Sequence, residues 1–349
     1  MRKLIYLLLI FSFEVNAQVS INKEYSSTAV NFLNLITDAQ SYSLGGGVST
    51  TPSTSNVCQN ISKSTFLNKT FSFSFSYHPW MRNIISDMNL THLSSIYKID
   101  NYSAIFLSYS HLNLGKIDKY STSKTFIGRN IGYEALLNIS YARKVAKNLS
   151  LGVSVKYISS NIDPEIKSSA LASDISSFYT NSILKGKINL GFVISNIGGK
   201  MKYSNEKYFL PMTSKLALSY EYSFDSVNIL GINTELSKLM ISSSDRSLSN
   251  INSNRTLIGI QKDDTVLESF IKSINEKTLS SFSISSEYIY KESFFGRCGL
   301  KFYNNSDKMI LLGVGIEKYG FLIDLAYSFH VDNKLQLNDN IFVTFSFNI

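Results

Sequence analysis

The sequence is poor in cysteine, in charged residues and in long apolar runs, and each shortage excludes a class of protein. Two cysteines in 349 residues cannot form a disulfide scaffold. Charged residues make up 17% of the chain, below the ~25% that is typical of soluble domains. No stretch approaches the ~20 apolar residues of a transmembrane helix, which excludes a helical membrane bundle. The chain is nevertheless 44% hydrophobic and 13% aromatic, too apolar for an intrinsically disordered protein. One large β-rich domain remains.

Residues 1–17 have the pattern of a secretory signal peptide. The basic pair Arg2–Lys3 precedes the apolar run Leu4–Phe13, and Val15 and Ala17 occupy the small-residue positions of a cleavage site. We therefore expect an exported protein, with a buried N-terminal helix as the less favoured alternative. The net charge of +8 comes from scattered lysines and arginines. Because an exported chain rarely meets nucleic acid, we expect no nucleic-acid partner.

From about residue 70 onward, apolar residues recur at every second position. The segment 70–77, for example, alternates aromatic residues with serines, and a period of two is typical of β-strands with one apolar face. Fourteen segments follow this pattern: 70–77, 89–98, 104–112, 134–142, 149–158, 170–179, 187–196, 214–222, 227–238, 281–290, 294–302, 309–316, 321–329 and 341–349. Three of them (89–98, 170–179 and 227–238) alternate less regularly. Most approach the ~9–11 residues that a tilted strand needs to cross hydrocarbon.

The connections between these segments are sorted by length. Those after odd-numbered segments are longer than those after even-numbered segments, and only the link Tyr303–Lys308 departs from this rule. A large soluble β-sandwich, the alternative fold, gives no reason for such sorting. An outer-membrane barrel does, because it has an even number of antiparallel strands with short periplasmic turns and longer outer loops. Its sheet must close, since lipid offers no partners to unpaired backbone groups.

The sequence therefore predicts an all-β fold, a transmembrane antiparallel β-barrel of about 14 strands over residues 70–349. It would lie in the outer membrane of a Gram-negative bacterium with both termini in the periplasm. Apolar side chains would face outer-membrane lipid, and small and polar residues, Asp174 and Asp324 among them, would face a polar lumen. Cys298 shares the lipid-facing set, so we expect two unpaired thiols rather than a disulfide with Cys58.

Residues 18–69 precede the first strand and show no alternation. They contain the glycines Gly45–Gly47 and a stretch rich in serine and threonine. Because a fourteen-strand lumen is wide enough to need filling, we expect an N-terminal plug segment here. A disordered tail is the alternative.

The longest loop, 239–280, contains one helical pattern at about residues 265–275. Five apolar residues recur at helix spacing behind an Asp-Asp-Thr sequence that can cap the helix: Val266, Leu267, Phe270, Ile271 and Ile274. We expect this apolar face to pack across the mouth of the barrel, with docking on a partner protein as the alternative.

Motifs that carry catalysis or bind cofactors are absent from the sequence. The four histidines, His78, His92, His111 and His330, are isolated, with no HExxH or zinc-binding spacing. There is also no G-x-S-x-G elbow, Walker loop or dinucleotide-binding glycine motif. We therefore expect no catalytic residues, no cofactor, no metal and no enzymatic activity. Three of the histidines would lie near the outer rim, which leaves a hidden hydrolase site as a minor alternative.

The segment His78–Leu90, HPWMRNIISDMNL, resembles the P-W-[LM]-R-N…D-[IM]-N-L segment of the PorV (LptO) family of type IX secretion outer-membrane proteins. These proteins are relatives of the FadL fatty-acid transporters. Weaker similarities occur in the family's order at 29–33, 37–39, 172–176, 194–198 and 287–290. The chain departs from the family after the plug glycines, where Thr51–Ser53 replaces the usual Asn-Pro.

The resemblance implies a FadL-like barrel with a plug and a non-enzymatic role in type IX secretion. In that role the barrel associates with a large outer-membrane translocon barrel. It receives secreted cargo proteins through their C-terminal signal domain and passes them to subunits of the surface attachment complex. A FadL-like transporter of hydrophobic small molecules is the alternative. The name LptO also points to lipid A deacylation, for which the sequence offers no residues.

The candidates for partner and cargo binding lie in the same segment: Pro79, Trp80, Arg82, Asn83 and Asp87. Tryptophan and arginine are enriched at interface hot spots. The loops that would supply the surrounding surface are 78–88, 113–133, 197–213 and 239–280. Two alternative roles stay open, Trp80 as an interfacial membrane anchor and Arg82 as the ion-pair partner of Asp87.

Overall fold

The computed structural model describes residues 28–81, 85, 87–123, 125–163, 165–242, 265–276, 279–304, 307–331 and 340–349. The predicted signal peptide, 1–17, lies outside the described residues.

Fourteen antiparallel strands form a closed barrel, in which β1 completes the circle by pairing with β16. The described residues contain sixteen strands in all, fourteen of the barrel and two outside it: β1 (Phe71–Pro79), β2 (Asn89–Lys98), β3 (Ser103–Tyr120), β4 (Phe126–Ala146), β5 (Leu149–Asp163), β6 (Ile166–Ile183), β7 (Gly186–Gly198), β8 (Met201–Tyr203), β9 (Glu206–Tyr208), β10 (Thr213–Ser223), β11 (Asn228–Leu239), β12 (Ser281–Tyr290), β13 (Phe294–Tyr303), β14 (Lys308–Lys318), β15 (Phe321–His330) and β16 (Asn340–Asn348). The short strands β8 and β9 form a separate hairpin between β7 and β10. Each of the fourteen predicted segments overlaps one barrel strand, although β3 to β6 extend beyond the predicted bounds, and the predicted all-β transmembrane barrel is confirmed.

The side chains alternate across the barrel wall as the sequence pattern predicts. In β1, Ser72 and Ser74 are buried toward the lumen, whereas Phe71 and Phe73 are 39% and 40% exposed on the outside. Asp324 is fully buried in the lumen. The apolar outer surface suits contact with lipid, and the backbone N–H and C=O groups of the strands are hydrogen-bonded to one another all the way around the closed sheet.

The two ends of the barrel differ. Six short turns and the C-terminal residue Ile349 lie at one end, here called the short-turn end, and the other seven connections lie at the opposite end, here called the loop end. Among these seven, the one between β5 and β6 is as short as the turns, because β5 continues to Asp163 and β6 begins at Ile166, so the long connection expected between the segments 149–158 and 170–179 is mostly strand. The predicted loop 113–133 is largely sheet, because β3 and β4 continue as a paired hairpin up to Tyr120 and Phe126. Alternation weakens there, since a bulge after Asn113 shifts the register.

The rim at the loop end is therefore uneven. Strand β2 pairs with β3 as far as Asn89 opposite Asn113, and β3 continues for seven more residues to Tyr120. At ~3.3 Å per residue this extension adds about 23 Å along the strand. Strands β12 to β16 are only 9 to 11 residues long, so the wall is tall at β3–β6 and low on the opposite side.

The described part of the N-terminal segment, residues 28–70, fills the lumen. It contains the helix α1 (Ala39–Ser43) and three 3-10 helices, Asn31–Asn34, Asn56–Gln59 and Ile61–Phe66. Helix α1 packs against β13 to β16, and the last 3-10 helix packs against β2 to β6. Polar contacts fasten this plug to the wall: the Ala39 amide donates to Thr344 Oγ1 at 2.9 Å, and the hydroxyls of Ser62 and Ser176 lie 2.7 Å apart.

The wall leaves room for the plug backbone where it carries glycine. A Cβ atom on Gly191 of β7 would lie 2.3 Å from the carbonyl oxygen of Val48 in the plug. Any side chain there would collide with the plug, so the lack of a side chain at this position permits the close approach.

The predicted helix in the longest loop is present as α2, Val266–Asn275. Its Thr265 hydroxyl accepts from the Glu268 amide while the Glu268 carboxylate accepts from the Thr265 amide, which is a capping box. Val266 and Phe270 pack against a hydrophobic cluster at the loop end, whereas Leu267, Ile271 and Ile274 are exposed. The buried members of that cluster are Phe209, Met212, Met240 and Ile241. The apolar face is therefore packed only at Val266 and Phe270, and these two residues pack at the rim beside Ile194 and Met212 rather than across the mouth of the barrel. None of the described helices is long and apolar enough to cross a membrane.

Candidate functional site

The predicted partner-binding segment forms the connection between β1 and β2 at the loop end. Pro79 is the last residue of β1 and pairs with Asn89 of β2. The Trp80 amide donates to the carbonyl of Met88 at 3.1 Å, which brings the two ends of the connection together. Arg82 and Asn83 lie outside the described residues.

Trp80 is half-buried at the mouth and begins an aromatic row that leads into the lumen. Its ring meets the ring of His78 edge-on at 5.1 Å between centroids. His78 lies against Phe342 of β16 at 3.5 Å, and Phe342 stacks on Tyr42 of the plug at 3.9 Å. The Tyr42 hydroxyl in turn lies 2.6 Å from that of Ser328. The row couples the candidate binding residue to the plug through direct ring contact.

Asp87 holds the connection against the tall β3–β4 hairpin. Its carbonyl accepts from the side-chain amides of Asn89 at 3.0 Å and Asn113 at 3.1 Å, and its carboxylate accepts from the Lys116 amide at 3.4 Å. Gly115 makes this approach possible with a φ of +80°, and a Cβ there would lie 2.4 Å from Ile85. These contacts give Asp87 a positioning role for the segment.

A cavity of about 380 Å³ lies beneath this segment, between the plug and the low side of the wall. Its apolar lining comes from the plug, from Trp80 and Met81, and from β14 and β16: Leu35, Ile36, Tyr42, Trp80, Met81, Met309, Leu311 and Phe342. Polar groups stand at a few points, among them Lys301 and a pair in which His330 Nδ1 lies 3.0 Å from Asp307 Oδ1. A mostly apolar space with few polar groups is the usual form of a small-molecule site.

A buried charge cluster ties three strands together inside the lumen. The Arg297 guanidinium of β13 donates to Glu287 of β12 at 2.6 Å and to Asp324 of β15 at 2.5 Å, and all three residues are buried. The plug touches this cluster through Gln40, whose side-chain amide donates to Glu287 at 3.4 Å. The alternation predicted that Asp324 faces inward, but the pairing depends on strand register, which the sequence pattern does not give.

The plug contains a fully buried lysine. The Lys63 ammonium donates to the carbonyl of Gly47 at 2.5 Å, to Asn56 Oδ1 at 2.7 Å and to Thr50 Oγ1 at 3.3 Å. Burial lowers the pKa of Lys63 from 10.5 to about 7, and the negative charge of Asp38 acts in the opposite direction. This lysine gathers three parts of the plug into one unit, and sequence reasoning did not single it out.

The two cysteines are unpaired, as predicted. Cys58 lies in the plug, where its thiol donates to the Ser55 carbonyl at 2.9 Å and burial raises its pKa. Cys298 is exposed on the outer face of β13, 3.1 Å from the Ser286 hydroxyl. The barrel wall separates the two thiols.

The histidines occupy separate environments rather than one site. His92 Nδ1 lies 2.8 Å from the Ser110 hydroxyl in the lumen, and its other ring nitrogen is buried without a hydrogen-bond partner, so this pair lacks the carboxylate of a triad. His111 stacks on Tyr133 at 5.6 Å. Within the described ranges no three histidine, cysteine or acidic side chains come together as metal ligands.

Comparison with known proteins gives a family and a fold. The family model described as "Type IX secretion system protein PorV" matches residues 18–246. No curated protein matches the chain.

Several solved structures are similar. The toluene transporter TodX of P. putida aligns with a TM-score of 0.55 and 11% identity over 89% of this chain and 98% of that one. The Ralstonia pickettii toluene transporter TbuX aligns with a TM-score of 0.51 and 11% identity, over 91% of this chain and 100% of that one. A Pseudomonas aeruginosa FadL homologue aligns with a TM-score of 0.51 and 12% identity, over 89% of this chain and 98% of that one. At these identities the likeness establishes a FadL-like barrel fold.

Proposed function

The chain belongs to the PorV family of type IX secretion system proteins, and from that premise we propose a non-enzymatic role in which it binds both the translocon and secreted cargo. Family and fold make it an outer-membrane barrel of a Gram-negative bacterium. In the proposed role it receives cargo through the C-terminal signal domain and delivers it to the surface attachment complex. The loop end would face outward and both termini the periplasm.

The observation that carries this proposal is the family match together with the position of its most specific segment. The 79–88 connection lies at the loop end, where Trp80 is half-buried and rests on residues coupled to the plug. The hairpin β3–β4 rises beside it and exposes Ile127 and Ile131, at 65% and 57%. Tryptophan is enriched at the sites where proteins bind one another, and the exposed apolar residues of the neighbouring hairpin add to the surface available at this end of the barrel.

Affinity purification of the tagged protein tests the role directly. The wild type should recover a large outer-membrane translocon and surface-destined proteins, and recovery of neither would contradict the proposal. Trp80→Ala should lower cargo recovery several-fold, and Trp80→Phe should restore part of it. Tyr319→Ala is the matched control, because Tyr319 is an aromatic residue 87% exposed at the short-turn end. All variants must first show the heat-modifiable gel migration of a folded barrel.

A transporter of hydrophobic small molecules is the second candidate, and the 380 Å³ cavity favours it. A deletion strain separates the two functions. Exported proteins that stall in the periplasm would support the secretion role. Loss of uptake of a hydrophobic solute with intact secretion would support the transporter. Lipid A of unchanged mass in the same strain would dismiss a deacylase.

A further inference from the structure

Helix α2 carries three distinct faces. With about 100° between successive residues, Leu267, Ile271 and Ile274 fall within an arc of about 60°, and all three are exposed, at 66%, 53% and 55%. The next arc is exposed and polar, and it consists of Glu268, Lys272 and Asn275. The remaining arc, Val266, Ser269, Phe270 and Ser273, is turned toward the protein.

The third face fixes the helix to the outer side of the barrel wall. Val266 and Phe270 pack on the same cluster as Ile194 of β7 and Met212, which precedes β10. Ile194 is directly opposite Ser214 of β10, so the two side chains lie on the same face of the sheet. That face is the outer one, because Leu216, two residues after Ser214, is exposed on it.

The C-terminal end of the helix is held from the same side. Lys238 of β11 pairs with Ser214, so it also belongs to the outward row. Its ammonium donates to the carbonyls of Ile274 and Glu276, which close the last turn of the helix. Ser269 accepts from the Ser242 amide at 3.0 Å and fixes the middle. Anchors along its length thus keep α2 beside the rim.

The exposed apolar stripe resembles the lipid-facing surface of the barrel in residue type and in exposure. Outward residues of the neighbouring strands have comparable exposure, 52% for Leu216, 50% for Ile232 and 42% for Ile284. A helix beside a membrane rim, with adjacent apolar and polar exposed arcs, has the form of an interfacial helix whose apolar arc lies among acyl chains and whose polar arc lies at the headgroups.

We propose that α2 is an interfacial anchor that inserts Leu267, Ile271 and Ile274 into the lipid leaflet at the loop end. The anchor fixes the height of the longest loop relative to the membrane. The proposal depends on the barrel fold and not on the role in secretion, so it stands or falls separately from that role.

Fluorescence quenching by lipid tests the proposal in the full-length chain. Trp80 is the only tryptophan, so Trp80→Phe provides a silent background in which Ile271→Trp reports the apolar arc. The protein is reconstituted into phosphatidylcholine vesicles whose acyl chains carry bromine, which quenches tryptophan at membrane depth. Glu268→Trp on the polar arc is the matched control, and Ile232→Trp on the barrel wall is the lipid-facing reference.

Quenching at Ile271→Trp should come within roughly two-fold of that at the barrel reference, whereas Glu268→Trp should be quenched much less. Equal quenching at positions 268 and 271, or none at 271, would overturn the proposal and would leave the stripe as a surface for a protein partner. Leu267→Trp repeats the measurement at a second apolar position in case one variant fails to fold, as judged by heat-modifiable migration.

Discussion

The buried lysine of the plug makes stability depend on pH in a direction that can be worked out. Lys63 is fully buried, and its desolvation lowers the pKa to about 7 from the value of 10.5 that it has in the unfolded chain. Between those two pH values the unfolded chain binds more protons than the folded chain. The free energy of unfolding therefore rises with pH across this window.

The size of the effect follows from the same two values. One pKa unit corresponds to about 1.4 kcal/mol, so a shift from 10.5 to about 7 makes the plug about 5 kcal/mol less stable below pH 7 than above pH 10.5, as an order of magnitude. Below pH 7 the lysine is protonated in both states and its contribution no longer changes.

Trp80 provides the assay, because it is the only tryptophan and packs beside the N-terminal part of the plug. Urea titrations in detergent micelles, followed by its fluorescence at pH 7, 8, 9 and 10, give the free energy of unfolding at each pH. We expect an increase of up to about 1.4 kcal/mol per pH unit. Lys63→Met is the control, since it keeps the length of the side chain and removes the titration. A flat profile in the wild type, or an equal slope in Lys63→Met, would refute the reasoning.

Two further predictions concern the lumen. Arg297→Met should cost about 3 to 5 kcal/mol of unfolding free energy, because it leaves the buried carboxylates of Glu287 and Asp324 without their cation. Adding Glu287→Gln and Asp324→Asn should restore most of this loss in the same urea titration, and an equally unstable triple variant would contradict the charge argument. Gly191→Val should push the plug from the wall at Val48 and speed its proteolysis, with the outward-facing Ile232→Val as a control that should leave the rate unchanged.

The barrel strands could be predicted because their outer face must suit lipid. Every second residue of a strand faces outward, so apolar residues recur in the sequence with a period of two. The irregular segments show where a second constraint acts. In β2, Leu90 and Ile96 point inward yet are apolar, because each packs against the plug. Phe178 of β6 does the same against Phe66 at 5.5 Å between centroids. In β11 the outward Lys238 breaks the pattern because it holds helix α2.

The site was predicted less completely. The His78–Leu90 segment identified the family and the mouth of the barrel, but the contacts of Asp87 depend on how the β3–β4 hairpin bends toward it. The cavity, the charge cluster and the Lys63 contacts join residues far apart in the chain, and such pairings follow from register and plug path. The alternation of apolar and polar residues along a strand predicts neither the strand register nor the path of the plug.

The uneven rim makes the sides of the barrel different from one another within the plane of the membrane. A barrel with a rim of even height would look the same to a neighbouring protein from every direction in the membrane plane. Its rotation about the membrane normal would then not affect how the two proteins meet. Here β3 extends seven residues beyond the end of β2, whereas the strands β12 to β16 are only 9 to 11 residues long. For a large neighbour that approaches within the bilayer, a strand wall of unequal height makes the direction of approach matter, so encounters at the mouth would depend on rotational orientation as well as on collision.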